Sequence, residues 1–585
     1  MISKPSRWGF WRDPCLHLLL LVLALVGYKL LSLEIVSRAY LDCQWCLSTR
    51  AVSHEIKLVL VLLALHLLSC MVRWRSVRIV FRSLVILAIA ITALDLIVMH
   101  EFWVRLTASQ FLEFAGEFSA MRGYLQQQLA DVWVLLATCT VALLVLLILF
   151  RYLRDDRPSL PPLFLYLMIA AGMVGCELVQ TREYHDAYLQ NSLQVFFTRQ
   201  TSSTPYSREF VKTVAPQPDN GRTCGRANAQ KTDIILLVFE SLSMYHSALF
   251  SGINDWMPEF DAVSKTGVRF PNFYANGVTS EQGLVALLTG EPPIPKGANA
   301  RTLFEQFRNP VQTMPRMLRS EGYNTVFLTT GNLGFVGKGK WLKDIGFDVI
   351  EGHDAPFYQG MKRYQFDAAS DDALYGRALR QLQARGSDAP TFMTLETVTT
   401  HLPNIDPASG THSQELTYRY ADRQLGDFVR KLQSMGFFDN GTLVITADHR
   451  AMVPMGLKEQ ALYGDRGYAR VPLAILGKGL DSREELASFS QTDLLPSLRH
   501  AVAEGTHCVG ANQGVFLPKA IHVPQCIYTN RSYNTNHVFV HCGANNFSIA
   551  LNGDQTQFSQ LVDAQTQPTE LLQELHRLRL GKGFR

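Results

Sequence analysis

Five long apolar runs in the first 180 residues constrain this chain more than any other feature. They comprise residues 15–36, 55–72, 79–100, 131–153 and 161–178. Each run approaches the roughly 20 apolar residues that a helix needs to cross a bilayer. The hydrophobic fraction of 47% is ordinary as an average, because these residues are concentrated in one part of the chain. We therefore predict a transmembrane domain of five helices at residues 1–180.

The distribution of Lys and Arg predicts the orientation of this domain. Three basic residues each stand before the first run and after the second and fourth: Lys4, Arg7, Arg12; Arg73, Arg75, Arg78; Arg151, Arg154, Arg157. The intervening segments, 37–54 and 101–130, carry two each. Basic residues are enriched on the cytoplasmic side, so the N-terminus is expected in the cytoplasm. After five spans, the chain beyond residue 180 then lies outside the cytoplasm.

Charge and cysteine content limit the partners and the compartment. A formal net charge of +4 with no Lys/Arg-rich tract argues against a nucleic-acid partner. Four cysteines fall in the predicted outer region: Cys224, Cys508, Cys526 and Cys542. An even set in an oxidising compartment favours disulfides over a zinc site, because the spacing is wide. Sequence leaves all three pairings open.

The remainder of the chain changes its pattern twice. Residues 181–231 predict a juxtamembrane helix and linker. From residue 232, buried strands alternate with helices up to about residue 505, which predicts an α/β domain with a mostly parallel central sheet covered on both faces. Residues 506–585 alternate like short antiparallel strands and end in an amphipathic helix, so they predict a small C-terminal β subdomain.

Two of these strands end in side chains that suit a metal ion. The run Ile234–Phe239 is followed by Glu240, and the run Leu443–Ala447 is followed by Asp448 and His449. If the strands are parallel neighbours, the three side chains meet at the carboxyl edge of the sheet. Carboxylate and imidazole ligands suit Mn²⁺, Mg²⁺ or Zn²⁺. A solvated loop is the ordinary alternative for each residue alone.

A hydroxyl group stands at the start of another predicted helix, 281–288, within the stretch Asn276–Leu284. Taken alone, Thr279 or Ser280 is more simply explained as an N-cap. A helix N-terminus also binds phosphate, and a nearby cation lowers the pKa of a hydroxyl. Combined with the three candidate ligands, the stretch predicts that Thr279 is both a metal ligand and a nucleophile.

The motifs that carry these residues resemble a known family. They are 234–241, Gly277-Val278-Thr279-Ser280, 397–403, Thr446-Ala447-Asp448-His449, 470–473 and 491–498. Together with the five-span anchor, they resemble the lipoteichoic acid synthase branch of the alkaline phosphatase/sulfatase superfamily. The resemblance implies an extracytoplasmic sulfatase-like fold and a catalytic domain at 232–505.

The resemblance also implies roles for individual residues. Glu240, Asp448 and His449 become metal ligands, and Thr279 becomes a ligand and the nucleophile. His401 matches a substrate-binding histidine that also serves catalysis.

Three further residues are implied to bind the substrate. Trp341 and Lys343 fall where the family has a Trp-x-Arg headgroup contact, although Lys cannot form the bidentate fork of Arg. Arg450 replaces the usual Gly after the Asp-His pair, and we expect it to add a phosphate contact.

The implied activity is metal-dependent transfer of phosphoglycerol through a covalent phospho-threonine-type intermediate. The donor would be the membrane phospholipid phosphatidylglycerol, and the acceptor a cell-envelope glycan or glycolipid. The implied cofactor is one divalent ion, with Mn²⁺ preferred over Mg²⁺ or Zn²⁺. The implied location is the bacterial inner (cytoplasmic) membrane, as a multi-pass protein.

Several alternatives stay open at this point. A phosphoethanolamine transferase would use the same metal site and nucleophile. A hydrolase would result if water displaced the acceptor, and a non-catalytic envelope scaffold would need none of these residues. A formylglycine sulfatase is disfavoured, because Thr279-Ser280-Glu281-Gln282-Gly283 lacks the required Cys or Ser followed by x-Pro-x-Arg.

Overall fold

The structure is a computed structural model. It describes residues 27, 44–102, 105–108, 111, 171, 190–197, 206–214, 223–227, 231–294, 302–307, 312–384, 389–502, 505–509, 526–530, 537–542, 545–561 and 569–580. The chain divides into two compact units. The first comprises Met1–Gly116, Leu125–Arg199 and Val453–Leu457, and the second comprises Glu117–Tyr124, Gln200–Met452 and Lys458–Arg585.

Two long helices dominate the described part of the first unit. They are α1 (Gln44–Met71) and α2 (Arg75–Phe102), and a short helix, α3 (Ser192–Phe196), follows later in the chain. Apolar side chains form the contact between α1 and α2: Leu58, Leu62, Val85, Ala88 and Ile89. These positions repeat at intervals of three and four residues, which is the spacing that places side chains on one face of a helix.

Within the described residues, one helical segment, Arg75–Leu96, has the length and apolar character needed to cross a membrane. It coincides with the third predicted run. The second run lies in α1, which carries the buried charged residues Glu55 and Lys57. The first, fourth and fifth runs lie outside the described residues, apart from positions 27 and 171. The five-helix transmembrane domain therefore stays a prediction.

The second unit is built on an eight-stranded sheet. Its described helices are α4 (Arg208–Thr213), α5 (Ala248–Ser251), α6 (Pro258–Ser264), α7 (Ser280–Thr289), α8 (Leu303–Gln306), α9 (Met314–Ser320), α10 (Lys338–Ile345), α11 (Asp371–Gln383), α12 (Gln414–Ser434), α13 (Leu457–Tyr463), α14 (Leu494–Val502) and α15 (Thr569–Leu580). Its first eleven described strands are β1 (Thr223–Ala227), β2 (Asp233–Phe239), β3 (Val268–Phe270), β4 (Phe273–Tyr274), β5 (Asn324–Thr329), β6 (Val349–Glu351), β7 (Thr391–Glu396), β8 (Gly441–Ala447), β9 (Leu473–Gly477), β10 (Arg483–Glu484) and β11 (Phe489–Ser490).

The strand order of the large sheet is β10-β3-β9-β8-β2-β7-β5-β6. The five strands from β8 to β6 are parallel, whereas β9 runs antiparallel to both β8 and β3. Every residue of β2 and β7 is buried, as expected for strands covered on both faces. The predicted mostly parallel central sheet is therefore confirmed, with β9 as the antiparallel exception.

A smaller antiparallel sheet follows the large one. It contains β13 (Cys526–Thr529), β14 (His537–Cys542), β15 (Asn545–Asn552) and β16 (Gln555–Leu561). Cys526 and Cys542 form a disulfide between its first two strands. A separate strand, β12 (Gly505–Val509), pairs antiparallel with β1, and Cys224 lies opposite Cys508 in that register. The predicted domain boundaries at 180, 231 and 505 stay predictions.

Candidate active site

The register of β2 and β8 brings two distant carboxylates to one edge of the sheet. The strands are parallel neighbours, and Phe239 lies opposite Ala447. The next residues, Glu240 and Asp448, therefore follow at the same carboxyl edge. Both side chains are buried, as is that of His449. Buried ionisable groups are costly unless they are paired or bind a cation, so this edge is the first candidate site.

The structure brings the three predicted metal ligands together. One ligand atom from each of Glu240, Asp448 and His449 lies within 4.8 Å of the others. His449 Nε2 is 3.2 Å from Asp448 Oδ2 and 3.6 Å from Glu240 Oε1. These distances between ligand atoms are of the size expected when three side chains bind one ion.

Backbone contacts hold the carboxylates in place. The Glu240 N–H donates to Thr397 Oγ1 at 2.9 Å, and Thr400 Oγ1 donates to the Glu240 carbonyl at 2.6 Å. Asp448 Oδ1 accepts from the Ser241 N–H at 2.9 Å. Ser241 adopts a φ of 59°, a left-handed conformation that a serine rarely adopts. This strained conformation lies at the site, where backbone strain is often found.

The remaining ligand atoms fit a divalent cation. Asp448 Oδ2 is buried and has no hydrogen-bond partner. His449 Nδ1 lies 2.8 Å from the Arg450 carbonyl oxygen, which can only accept, so Nδ1 carries the proton. The Nε2 lone pair of neutral His449 therefore faces the two carboxylates. A lone pair and a carboxylate oxygen that face each other repel unless a proton or a metal ion lies between them, so this arrangement fits a divalent cation.

The electrostatics of the site agree with this reading. Burial, followed by the charge of Glu240, raises the pKa of Asp448 to about 6. Burial lowers the pKa of His449, but the charges of Asp448 and Glu240 outweigh it and raise that pKa above its ordinary value. Both shifts reflect uncompensated negative charge, which a divalent ion would neutralise.

Ser280 supplies the hydroxyl that faces this group. Its Oγ lies 3.2 Å from Glu240 Oε2 and 3.4 Å from His449 Nε2, at the first residue of α7. Thr279 is the N-cap of α7, and its Oγ1 accepts from the Gln282 N–H at 3.4 Å. The structure thus places the Ser280 hydroxyl beside the three predicted ligands. The role of Thr279, whose side chain caps the helix, stays a prediction.

Two further residues position this edge and were missed in the sequence. A Cβ on Gly283 of α7 would lie 2.1 Å from the Asp448 carbonyl oxygen, so the helix approaches β8 too closely for any side chain. Gln491 Nε2 donates to the carbonyls of Ala447 and Asp448 at 2.9 and 2.6 Å. Its Oε1 accepts from the Asn276 N–H at 2.9 Å, which links the α7 loop to β8.

The sequence of this region matches a known family over the same residues that build the site. A profile of the Sulfatase family matches residues 232–502. Residues 232–502 form a sulfatase-family domain. The match begins at β2 and ends with α14, and so contains the ligands, Ser280 and His401.

Curated relatives match part of the chain. Phosphoglycerol transferase I of Xanthomonas axonopodis pv. citri (strain 306) is 26% identical over 246 residues, which is 38% of this chain and 34% of that protein. Lipoteichoic acid synthase 1 of Bacillus subtilis (strain 168) is 25% identical over 245 residues, 38% of this chain and 36% of that protein. The chain thus matches about a third of the length of these relatives.

Solved structures agree on the fold. The crystal structure of a protein in the alkaline phosphatase superfamily from Vibrio parahaemolyticus is similar, with a TM-score of 0.50 and 19% identity. The similarity covers 62% of this chain and 91% of that chain. At this identity the comparison shows the fold alone.

His401 lies close to the ligand group in the sulfatase-family domain. Its pKa is lowered to about 4, chiefly by burial, with smaller contributions from His449 and Lys338. Its Nδ1 lies 2.7 Å from the Leu402 carbonyl oxygen and therefore carries the proton, which leaves Nε2 as an acceptor. The ring packs edge-on against Phe366 at 4.6 Å. At neutral pH, His401 is thus an uncharged hydrogen-bond acceptor.

The other predicted substrate residues have different surroundings. Trp341 is buried in the core, where its Nε1 donates to the Phe307 carbonyl at 3.1 Å. Lys343 is exposed on α10. Arg450 is buried, and its Nη2 lies 2.6 Å from Glu459 Oε2 in an ion pair. The polar atoms of Trp341 and Arg450 thus have partners inside the protein. The substrate roles of Trp341, Lys343 and Arg450 stay predictions.

Lys338 was missed, although it precedes Trp341 by only three residues. It is the first residue of α10, and its Nζ lies 2.6 Å from Glu396 Oε1. Glu396 ends β7, the strand that leads to His401. The charge of Lys338 makes a small contribution to the low pKa of His401. The sequence signal that could have identified Lys338 is its position between Gly337 and Gly339.

Proposed function

We propose that this protein is a metal-dependent phosphoglycerol transferase. The observation that carries the proposal is the Ser280 hydroxyl at the N-terminus of α7, 3.2 Å from Glu240 and 3.4 Å from His449. The names of the two curated relatives, phosphoglycerol transferase I and lipoteichoic acid synthase 1, support this reaction class. We move the proposed nucleophile from Thr279 to Ser280.

Glu240, Asp448, His449 and the Ser280 hydroxyl would hold one divalent ion, for which we propose Mn²⁺, with Mg²⁺ or Zn²⁺ as alternatives. Such an ion lowers the pKa of a bound hydroxyl and polarises a phosphoryl oxygen. The protein itself orients the hydroxyl: α7 places Ser280 at its first turn, where free N–H groups and the helix dipole favour a phosphate.

In the first step, Ser280 Oγ attacks the phosphorus of phosphatidylglycerol. An Oγ–P bond forms and the P–O bond to diacylglycerol breaks. The serine hydroxyl loses its proton and the diacylglycerol oxygen gains one. In the second step, a hydroxyl of a glycan or glycolipid acceptor attacks the phosphorus, the Oγ–P bond to Ser280 breaks, and Ser280 Oγ takes up a proton as the acceptor hydroxyl loses one. The lone pair of His401 Nε2 would accept a hydrogen bond from a hydroxyl of the headgroup.

The names of the curated relatives favour glycerol over ethanolamine as the headgroup. Lys338 and Glu396 form a part-buried ion pair, so neither charge by itself selects between the two headgroups. Phosphoethanolamine transfer therefore remains the second candidate, supported by the shared metal site.

The location follows from the lipid donor. We propose that the protein is a multi-pass protein of the bacterial inner membrane, with the sulfatase-family domain outside the cytoplasm. The described helical segment Arg75–Leu96 is consistent with such an anchor. A nucleophile outside the cytoplasm would meet both a phospholipid headgroup and an envelope acceptor.

The decisive experiment identifies the covalent adduct. The full chain, reconstituted with Mn²⁺ and either phosphatidylglycerol or phosphatidylethanolamine, is digested and its peptides are weighed. We expect one glycerophosphate on the peptide that contains Ser280, with fragmentation placing it on Ser280 rather than Thr279. A phosphoethanolamine adduct would replace our donor assignment, and the absence of any adduct from both lipids would favour the scaffold alternative.

A further inference from the structure

A buried ion pair fixes the chain at the end of the apolar segment of α2. Asp95 is fully buried near the end of the segment Arg75–Leu96. Arg105 donates to its carboxylate from Nε and Nη2, at 3.0 and 2.7 Å to Oδ2. The Leu106 N–H donates to Asp95 Oδ1 at 2.7 Å. The chain that leaves α2 after Phe102 therefore folds back against the helix.

The same arginine fixes a second segment at this level. Arg105 Nη1 donates to the carbonyl of Gln190 at 2.9 Å. The next residue, Asn191, donates from Nδ2 to the His54 carbonyl of α1 at 3.1 Å, and its Oδ1 accepts from the N–H of Gln194 at 3.0 Å. Helix α3 is thereby attached to both long helices where the apolar segment ends.

We call the hydrogen-bonded group of Asp95, Arg105, Gln190 and Asn191 the polar clamp. Three phenylalanine rings lie on the segments that it joins. We call Phe111, Phe196 and Phe197 the phenyl patch. The centroids of Phe111 and Phe196 are 6.2 Å apart, and those of Phe196 and Phe197 are 5.3 Å apart. Phe111 is 42% exposed and Phe197 is 67% exposed. Adjacent exposed aromatic rings on one surface indicate an interaction site.

The position of the patch along α2 indicates its partner. The 22 residues of Arg75–Leu96 span about 33 Å at about 1.5 Å per residue, close to the roughly 30 Å of a hydrocarbon core. Trp74, which is 77% exposed, directly precedes this segment. Exposed aromatic rings thus stand at both ends of one apolar span. Trp is enriched at bilayer interfaces, and Phe on interfacial helices is buried at the headgroup–acyl boundary.

We propose that the phenyl patch is seated in the bilayer interface opposite Trp74, with phospholipid at the headgroup–acyl boundary as its partner. The Asp95–Arg105 pair holds the patch at that depth, because it joins both segments that carry the rings to the end of the span. The patch therefore sets the level at which the chain leaves the membrane after Phe197. This inference does not depend on the proposed reaction.

Photocrosslinking tests the proposal in the full chain. The photoreactive residue p-benzoylphenylalanine replaces Phe197, Phe111 or, as the control, Leu486, which is 66% exposed in the second unit. The proteins are reconstituted in phosphatidylglycerol/phosphatidylcholine vesicles and irradiated. We expect phospholipid adducts at positions 197 and 111, at several times the yield at position 486. Equal yields at all three positions, or crosslinks between two copies of the chain at position 197, would overturn it.

A substitution in the clamp tests its role. Arg105→Lys keeps the charge but loses the planar fork that joins Asp95 to Gln190. We expect the lipid adduct at position 197 to fall by about threefold or more. Arg75→Lys, at an exposed arginine at the other end of the span, is the matched control and should leave the yield unchanged. An unchanged yield in Arg105→Lys would remove the clamp from the proposal.

Discussion

Ser280 and Thr279 are chemically similar neighbours with different tasks. The backbone of Thr279 is extended and its side chain turns back over the helix end to cap Gln282. Ser280 has already entered the helix, so its side chain projects away from the cap towards Glu240 and His449. One residue along the chain thus separates a structural hydroxyl from one that is proposed to react.

Alanine substitutions at these two positions should separate the roles. Ser280→Ala removes the proposed nucleophile, and we expect kcat to fall by about a thousandfold or more. Thr279→Ala removes an N-cap, which costs about 0.5–2 kcal/mol of stability, and should leave kcat within about tenfold. Steady-state transfer assays and thermal unfolding measure the two effects. A loss of activity confined to Thr279→Ala would restore the original assignment.

The charge of Lys338 should affect how the activity depends on pH. Burial is the largest cause of the low pKa of His401, and the charge of Lys338 adds to it. Lys338→Gln should therefore raise that pKa above about 4 while leaving it below its ordinary value. Because neutral His401 is the proposed acceptor, the acid limb of kcat/KM should move to higher pH. The pH profile with saturating metal measures this shift.

Lys343→Gln is the matched control for that experiment. Lys343 lies on the same helix but is exposed, and it is not among the charges that shift His401. Its removal should leave the acid limb in place. An equal shift in both variants would mean that general charge, rather than proximity to His401, is responsible.

Helix α7 depends on a close approach to the end of β8. Gly283 allows this approach, since a Cβ there would overlap the backbone of Asp448. The contact holds the helix N-terminus, which carries Ser280, against the strand end that carries the metal ligands. The packing of one element therefore sets the distance between nucleophile and ligands.

Gly283→Ala should accordingly damage both stability and activity. Backbone atoms cannot rotate away, so we expect a loss of about 1–3 kcal/mol, typical of overpacking, together with a large fall in kcat. Gly376→Ala in α11 is the control, because its Cβ would meet only Phe357 at 3.6 Å. That change should be neutral or stabilising by up to about 1 kcal/mol. Chemical denaturation measures both; equal stabilities would contradict the close approach.

At the level of the whole fold, the ligands come from two strands that are far apart in sequence. Ser241 and the Asp448 side chain it contacts are separated by 207 positions. A cation bound here would join the ends of β2 and β8, two neighbouring central strands. Ligand binding to the native state alone raises the stability in proportion to the logarithm of ligand concentration.

Metal addition should therefore stabilise the fold measurably. At a Mn²⁺ concentration one hundred times the Kd, the expected gain is about 2.7 kcal/mol, and Tm should rise by about 5 °C. Asp448→Asn removes a ligand charge and should abolish most of this rise. Differential scanning calorimetry with and without a chelator provides the measurement. A rise that persists in Asp448→Asn would place the ion elsewhere.

The pattern of apolar residues in the sequence was sufficient to predict the large strands of this fold. Continuous apolar runs predicted β2, β5, β7 and β8, and the polar residues that follow β2 and β8 predicted the metal ligands. The strand predictions are confirmed, because burial on both faces leaves a continuous apolar pattern in a parallel strand. The metal ligands stay a prediction, which the proximity of Glu240, Asp448 and His449 supports. The sulfatase-like fold followed from the same motifs.

The remaining site residues could not be predicted, because their roles depend on local geometry. The choice between Thr279 and Ser280 depends on where α7 begins, and helix ends are the least predictable part of a helix. The Trp341 side chain is buried, and its N–H donates to the Phe307 carbonyl. These two residues are not adjacent in sequence, so the sequence pattern did not predict the contact. Lys338 was not predicted, because its contact with Glu396 depends on the positions of α10 and β7 in the fold.

The sheet order also has a consequence for biosynthesis. Strand β2, seven buried residues long, emerges from the ribosome before either of its neighbours. Thr391 of β7, which contacts Asp233 at the start of β2, follows 158 positions later, and β8 follows later still. A nascent apolar strand with two unpaired edges invites aggregation. A chaperone that shields β2 should therefore raise the yield of the folded chain, and a truncated product ending before β8 should be inert towards lipid.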